Sequence, residues 1–395
     1  MHSLAAWIFW ISFAVTVYVY FGYPLLLGAG LLAPRKGWRR RRIDPFVSII
    51  VAAYNEEAVI EDKIENLLGS DYPLERFEIL VGSDGSTDRT EEIVESYAGR
   101  GVRLVKGVSR RGKSSIQNAA AAQALGSILV FTDADCLIYP STLRGAMENF
   151  ADPAVGLVTG TAAFANSDES AITRNEGLYS RYEAWIRRQE SERQLLAAAS
   201  GSFFAIRREL WKPLDPNLGD DFVLPLQVAL QGFRNILDPN VIAWTQLPAG
   251  ASSMFRVKKR IVTKDLRGLL RHRAILNPLR FGRVAIGLWS HKLLRWLIAY
   301  FLCAMLAANL FLLSSAFYQI TLTAQVAFYA IALTAVMARN PNLRAPWSIA
   351  SSFCVVNGAA MFGVFDCLAK RSASQWRPVR YGSPECSSNI KVRPT

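Results

Sequence analysis

Phe46-Val47-Ser48-Ile49-Ile50-Val51-Ala52-Ala53-Tyr54-Asn55-Glu56-Glu57 is a short apolar run that stops abruptly on polar residues. Its β-branched residues and its length read as a buried strand. Glu78-Ile79-Leu80-Val81-Gly82, Val102-Arg103-Leu104-Val105 and Ser127-Ile128-Leu129-Val130-Phe131 repeat the pattern. Stretches near 56–69, 87–98 and 113–125 have helical character, with Thr87 opening the second and Thr90 and Glu91 in its first turn. Strands alternating with helices predict an α/β domain whose parallel sheet is closed by crossover helices.

In open α/β sheets, ligands bind at the C-terminal strand edge. Three polar clusters fall there: Tyr54-Asn55-Glu56-Glu57, Ser83-Asp84-Gly85-Ser86-Thr87-Asp88 and Thr132-Asp133-Ala134-Asp135. Asp133 and Asp135, two positions apart, can both reach one divalent cation that bridges phosphate oxygens, and Mg²⁺ or Mn²⁺ accepts such ligands. A lone pair of this kind more often caps a turn. Asp84 either caps the following helix or accepts a hydrogen bond from a nucleobase or ribose. Tyr54 either packs at the strand end or stacks on a base. Farther on, Asp220-Asp221 opens the apolar stretch around Phe222–Leu226. Paired acids there can simply complement a helix N-terminus. They can also supply a general base, because repulsion between adjacent carboxylates raises one pKa.

A rival pattern overlaps these clusters. Gly107-Val108-Ser109-Arg110-Arg111-Gly112-Lys113-Ser114 matches GxxxxGK[ST], the P-loop signature, between a strand and a predicted helix. Phe131-Thr132-Asp133 can pass for its acidic partner. Against this, Arg110 and Arg111 stand where small residues let the backbone wrap phosphates, and the reading leaves Tyr54-Asn55-Glu56 and Asp135 unused. Either way Lys113 comes near a diphosphate. A dinucleotide-binding Rossmann domain fits less well still, because the first strand runs into Tyr54-Asn55-Glu56-Glu57 and not into a glycine-rich turn.

Outside residues 45–280 the chain is apolar. Of 395 residues, 51% are hydrophobic and only 19% charged, with a formal charge of +13. A soluble domain carries roughly a quarter charged residues, so the deficit points to membrane segments and rules out a disordered chain. Leu4–Ala33 is uncharged, and about 20 residues suffice to span a bilayer. The basic anchor within 34–44, Arg35 to Arg42, places that flank in the cytoplasm with the N-terminus outside. Residues 281–295 mix apolar groups with Arg283, His291, Lys292 and Arg295, which predicts an amphipathic helix on the membrane surface or the first turns of the next span. Residues 296–369 hold two or three spans, Trp296–Ala338 turning near Ser314-Ser315 and then Trp347–Phe365. Three spans put the tail 370–395 outside, whereas Lys370, Arg371, Arg377, Arg380, Lys391 and Arg393 argue for inside. A re-entrant or interfacial segment reconciles the two. The five cysteines, Cys136, Cys303, Cys354, Cys367 and Cys386, form no CxxC pair, so neither a disulfide framework nor a thiolate metal site is indicated. The soluble portion has no basic stripe interleaved with aromatics, which makes nucleic acid an unexpected partner.

Taken together, Ala53-Tyr54-Asn55-Glu56-Glu57, Asp84 to Asp88, Gly112-Lys113, Asp133-Ala134-Asp135 and Asp220-Asp221 resemble, in order, the motifs of membrane-bound family 2 glycosyltransferases, the superfamily of cellulose, chitin and hyaluronan synthases. The resemblance covers the first span, the central domain and the C-terminal spans. It implies a Rossmann-like GT-A domain between transmembrane helices, a nucleotide-sugar donor (often a UDP-sugar), Mg²⁺ or Mn²⁺, and transfer with inversion to a glycan or lipid-linked acceptor at the cytoplasmic membrane, in cell-surface polysaccharide or glycolipid synthesis. It implies that Ala53, Tyr54, Glu56 and Asp84 hold the nucleoside, that Lys113, Asp133 and Ala134 lie along the ribose and diphosphate, and that Asp133 and Asp135 hold the metal. Asp221 is then the base, or Asp220 if the alignment shifts by one, and Gly201-Ser202-Phe203 lines the acceptor site. The QxxRW motif of processive members is degenerate here: Val257-Lys258-Lys259-Arg260-Ile261 keeps only Arg260, which can still offset charge on the departing diphosphate.

Overall fold

The computed structural model describes residues 2–107, 109–166, 171–247, 250–338 and 344–371, with the side chains of 171 and 172 left aside. The expected basic tail past 371 and the turn at 339–343 lie outside them. The strands are β1 (Val47–Ala53), β2 (Phe77–Ser83), β3 (Val102–Lys106), β4 (Ile128–Asp133), β5 (Leu137–Ile138), β6 (Val155–Phe164), β7 (Phe203–Arg207) and β8 (Arg234–Thr245). The helices are α1 (His2–Val17), α2 (Tyr23–Gly28), α3 (Ile60–Leu68), α4 (Thr90–Ser96), α5 (Lys113–Ala122), α6 (Thr142–Glu148), α7 (Ala171–Glu192), α8 (Asp220–Leu230), α9 (Ala251–Arg271), α10 (Pro278–Gly287), α11 (Leu294–Leu310), α12 (Ala316–Ala338) and α13 (Trp347–Leu368).

All eight strands form one sheet in the order β3-β2-β1-β4-β7-β6-β8-β5. The four strands legible in the sequence make its parallel half, with β1 between β2 and β4. Every residue of β1 and β2 is buried, which is why they read as unbroken apolar runs. The register sets Ala53 beside Ser83 and Ala52 beside Asp133, so the three polar clusters emerge at one edge. The sheet is mixed and not wholly parallel as expected. β7 runs antiparallel to both β4 and β6, and β5 antiparallel to β8. β7 is only five residues long, and β6 is interrupted by Gly156, Thr159, Gly160 and Thr161, so neither shows a clear period.

One face of the sheet packs on Ile60, Ile64 and Leu67 of α3 and Met147 of α6. The other packs on Ile116 and Ala120 of α5 and Val223, Leu224 and Val228 of α8. The α5 contact is close: a Cβ at Gly82 would lie 2.6 Å from Ile116 Cγ1, so β2 accepts the helix only through a glycine. α4 begins at Thr90, later than Thr87, because Asp88 caps it: its Oδ1 accepts the Thr90 N–H at 3.0 Å.

Among the described residues, four helical runs are long and apolar enough to cross a membrane: His2–Gly28, Pro278–Leu310, Ala316–Ala338 and Trp347–Leu368. Past a kink at Gly282, residues 283–310 run on through a π-turn as one helix, so the amphipathic stretch joins the following span. The break between α11 and α12 contains Ser314 and Ser315. α13 touches the central domain near both ends. Ser352 Oγ receives a hydrogen bond from Asn175 of α7 at 3.1 Å, and Asp366 pairs with Lys259 of α9 at 2.6 Å.

Candidate active site

Loop geometry at the C-terminal edge follows from side chains that lace the clusters together. Asn55, in the left-handed region at φ 55°, accepts the Thr87 N–H on its Oδ1 at 2.8 Å and donates its own N–H to Ser86 Oγ. The Glu56 N–H reaches Thr90 Oγ1 at 2.8 Å and the Glu57 N–H reaches Asp88 Oδ2 at 3.1 Å. Tyr54 is thereby held at the cleft, with the Arg110 guanidinium 3.9 Å from its ring centroid. Ala53 and Ala134 are buried and offer only backbone to the cleft.

Asp84 is buried, and its two oxygens accept the backbone N–H groups of Arg111 and Gly112, each at 2.8 Å. Gly112 sits at φ 96°, where a side chain would be strained. A phosphate-wrapping loop keeps such N–H groups for its ligand. Here they are spent on the chain's own carboxylate, which weighs against the P-loop reading.

Lys113, the first residue of α5, joins the other two edges. Its Nζ lies 2.7 Å from Asp133 Oδ1 and 3.1 Å from Asp220 Oδ2. Gln117, one turn on, donates to the same Asp220 oxygen at 2.8 Å. Burial works against the Lys113 charge, but Asp133 and Asp220 outweigh it and raise its pKa. Burial likewise disfavours ionised Asp220, yet Lys113 and Gln117 hold its carboxyl below the usual range. Asp221 faces the opposite balance: burial first, then the Asp220 charge, push it up to about 6. Adjacent carboxylates driven apart in this way are how one site keeps a permanent anion beside a usable base.

Asp133, Asp135 and Cys136 bring their ligand atoms within 4.8 Å of one another. Burial raises the Cys136 thiol, which therefore stays protonated. The two carboxylates remain as donors, and an oxygen pair suits a hard divalent cation. A cation does sit against Asp133 in the form of the Lys113 ammonium. Desolvation in the cleft, then Asp133, raise Asp135, as expected of acids brought together to share positive charge.

Gly201 closes the cleft. A Cβ there would meet Asp221 Oδ2 at 3.4 Å and Asp133 Oδ2 at 3.8 Å. Ser202 is largely buried with its carbonyl accepting the Thr132 hydroxyl at 2.8 Å, and the Phe203 side chain belongs to the sheet core. Arg260 is half-buried on α9, and the group α9 brings within electrostatic reach of Asp220 and Asp221 is Lys264, one turn later. Burial and then Arg260 lower the Lys264 pKa against the pull of those acids.

Sequence reasoning passed over Lys63, Arg187, Lys264 and Asp265. Lys63 is fully buried beneath the Asp133–Cys136 turn, donating to Thr132 Oγ1 at 2.9 Å and to the Cys136 carbonyl. It shares the apolar face of α3 with Ile60, Ile64 and Leu67, and a charge on such a stripe was a signal available in the sequence. Asp265 breaks the stripe of Val262, Leu266 and Leu269 on α9 in the same manner. Arg187 of α7, donating to the Ala198 carbonyl at 3.1 Å, carried no such mark.

Comparison with known proteins shows what this chain is similar to. Residues 48–214 match the family described as Glycosyl transferase family 2. A Bacillus subtilis protein named "Probable glycosyltransferase YdaM" is 27% identical over 268 residues, 64% of this chain and 63% of that protein. A Synechocystis protein named β-monoglucosyldiacylglycerol synthase is 35% identical over 172 residues, 42% of this chain and 34% of that protein. The chain thus spans less than two thirds of the length of either relative. A mannosyltransferase of Pyrobaculum calidifontis, solved with GDP-mannose and Mn²⁺, shares the fold with a TM-score of 0.68 at 24% identity, over 92% of this chain and 99% of that one. Residues 48–214 thus match glycosyltransferase family 2 within a chain of GT-A fold that also carries membrane-length helices.

Proposed function

We propose that the chain is an inverting transferase that moves a hexosyl or N-acetylhexosaminyl group from a cytosolic nucleotide-sugar, a UDP-sugar, to a hydroxyl of a glycan or lipid-linked acceptor at the membrane. The observation that carries this is Lys113 bridging Asp133 and Asp220 beside an Asp221 whose pKa is pushed up to about 6. Tyr54, Glu56 and Asp84 border the nucleoside. Lys113 reaches the diphosphate by exchanging its carboxylate partners for phosphate oxygens. The acceptor oxygen attacks the anomeric carbon from the face opposite the diphosphate, its proton passes to an Asp221 oxygen, and the anomeric C–O bond breaks with its electron pair leaving on the diphosphate. Lys113, Lys264 and Arg260 offset the charge that develops there. A divalent cation held by the Asp133 and Asp135 carboxylates would supply further positive charge to the same oxygens.

In this reading three runs cross the membrane and α13 does not. Ser352 and Asp366 are about four helical turns apart, yet each meets a domain helix, so α13 lies along the domain side of the bundle. His2 with Ser314 and Trp10 with Tyr318 mark the far side. Lys370 and Arg371 then lie on the same side as the anchor at Arg35–Arg42, as charge asymmetry favours.

The test is nucleoside diphosphate release from a panel of UDP-, GDP- and dTDP-sugars by the full chain in lipid nanodiscs, with Mn²⁺ or Mg²⁺. Release from one donor, abolished by EDTA and by Asp135→Ala, supports the reading. Hydrolysis of ATP or GTP with silence across the sugars would replace it with the P-loop alternative.

A further inference from the structure

A cavity of about 420 Å³ lies outside the donor cleft, where α7, α9 and α13 meet the run 278–310. Ligand sites typically enclose ~300–1,000 Å³. Its lining is of two kinds. Leu178, Ile261 and Ile349 are apolar and 58%, 40% and 56% exposed. Asp265 and His291 are polar and only 8% and 4% exposed. Asp265 leads on to the transfer centre, because its Oδ1 and that of Asp221 flank the same point, 3.3 and 3.2 Å from a Cβ built on Gly219. The chamber therefore joins exposed apolar residues of α7, α9 and α13 to Asp265, the neighbour of the carboxylate assigned as base.

Charge inside the chamber is largely matched. Lys258 pairs with Glu176 at 2.5 Å, Arg295 with Glu183 at 3.0 Å, and His291 with Glu183 and Glu190 at 3.0 and 2.8 Å. Lys292 is held only loosely, 3.9 Å from Glu183. Asp265 has no hydrogen-bond or ion-pair partner among the described residues. A buried carboxyl left in that state is unfavourable and is relieved by a hydroxyl. A lipid phosphate could bind here only by displacing the carboxylates that already engage Lys258, Lys292, Arg295 and His291.

Resting on the transferase reading above, we propose that this chamber is the acceptor site for a membrane lipid with an uncharged, hydroxyl-bearing headgroup. Its acyl part enters past Ile261 and Ile349, and its hydroxyls reach Asp265 beside the base. Asp265 acts as a positioning residue for the acceptor.

The experiment uses the full chain in nanodiscs containing a diazirine-bearing diacylglycerol, with adducts mapped by mass spectrometry. Adducts on the segments holding Ile261 and Ile349 are expected, and Val356→Trp, which fills the chamber, lowers them ~10-fold together with glycosylated diacylglycerol, while acceptor-independent nucleoside diphosphate release stays within about twofold. Ile261→Trp gives the same result by a substitution at an exposed position. Asp265→Asn raises the KM for the lipid and leaves the donor KM unchanged. Adducts confined to α11 and α12, product only on polyprenyl phosphate or a soluble glycan, or full lipid glycosylation by both tryptophan variants would overturn the proposal. Absence of diphosphate release from every nucleotide-sugar refutes the transferase reading itself, and the adduct map still judges the chamber.

Discussion

Asp221→Asn separates the chemistry of the site from its stability. Folding raises the Asp221 carboxyl from 3.8 to about 6, through burial first and the Asp220 charge second. The folded state thus binds this proton more tightly than the unfolded chain does. The carboxyl costs stability once pH exceeds its unfolded value near 4, and the cost is complete above about 6. About two pH units correspond to ~3 kcal/mol, and solvent in the open cleft screens part of it, leaving ~1–3 kcal/mol. An amide of the same shape does not ionise. Asp221→Asn should therefore unfold ~2–6 °C above the parent at pH 7.5, with about a third of that difference left at pH 4.5. In the same nanodiscs it should lose ~10²–10⁴-fold in transfer rate, the usual contribution of a positioned base. The parent's rate should fall tenfold per pH unit below about 6. Equal melting temperatures at pH 7.5, or an acid limb that begins below pH 5, would refute the assignment of Asp221 as the strained base.

Three further outcomes follow from the same geometry. Lys113→Met leaves Asp220 buried without its cation and should destabilise the domain by ~3–5 kcal/mol, read as a lower unfolding temperature, with loss of nucleotide binding by calorimetry. Asp135→Asn should weaken Mn²⁺ activation of diphosphate release by at least tenfold in a metal titration, since one of two carboxylate donors is gone. Lys63→Met strands the Cys136 carbonyl and the Thr132 hydroxyl beneath the acidic turn. It should cost ~1–3 kcal/mol in thermal unfolding, while added nucleotide-sugar recovers part of the loss.

The parallel half of the sheet and its ligand edge could be read from the chain because a strand buried on both faces must be continuously apolar, as β1 and β2 are. The polar residues that stop those runs mark the edge without any knowledge of partners. Lys113, Asp133 and Asp220 could each be named from their local setting for the same reason. What local sequence does not contain is which of two adjacent acids is stabilised. Asp220 and Asp221 differ only in where α8 points them, one at Lys113 and Gln117, the other into the cleft. β6 and β7 stayed hidden because their pairing is settled by distant strands, and the antiparallel return of β7 is what carries Gly201 between Asp133 and Asp221. Asp265 and Lys264 sit in a helix rich in basic residues, whose sequence alone does not say which groups they face. Only the packing of α9 against α8 and α13 turns them towards the acids and builds the chamber beside them. Strand identity is local and follows from burial periodicity, whereas the electrostatics of the site depend on distances between segments far apart in the chain, and those are settled only when the fold closes.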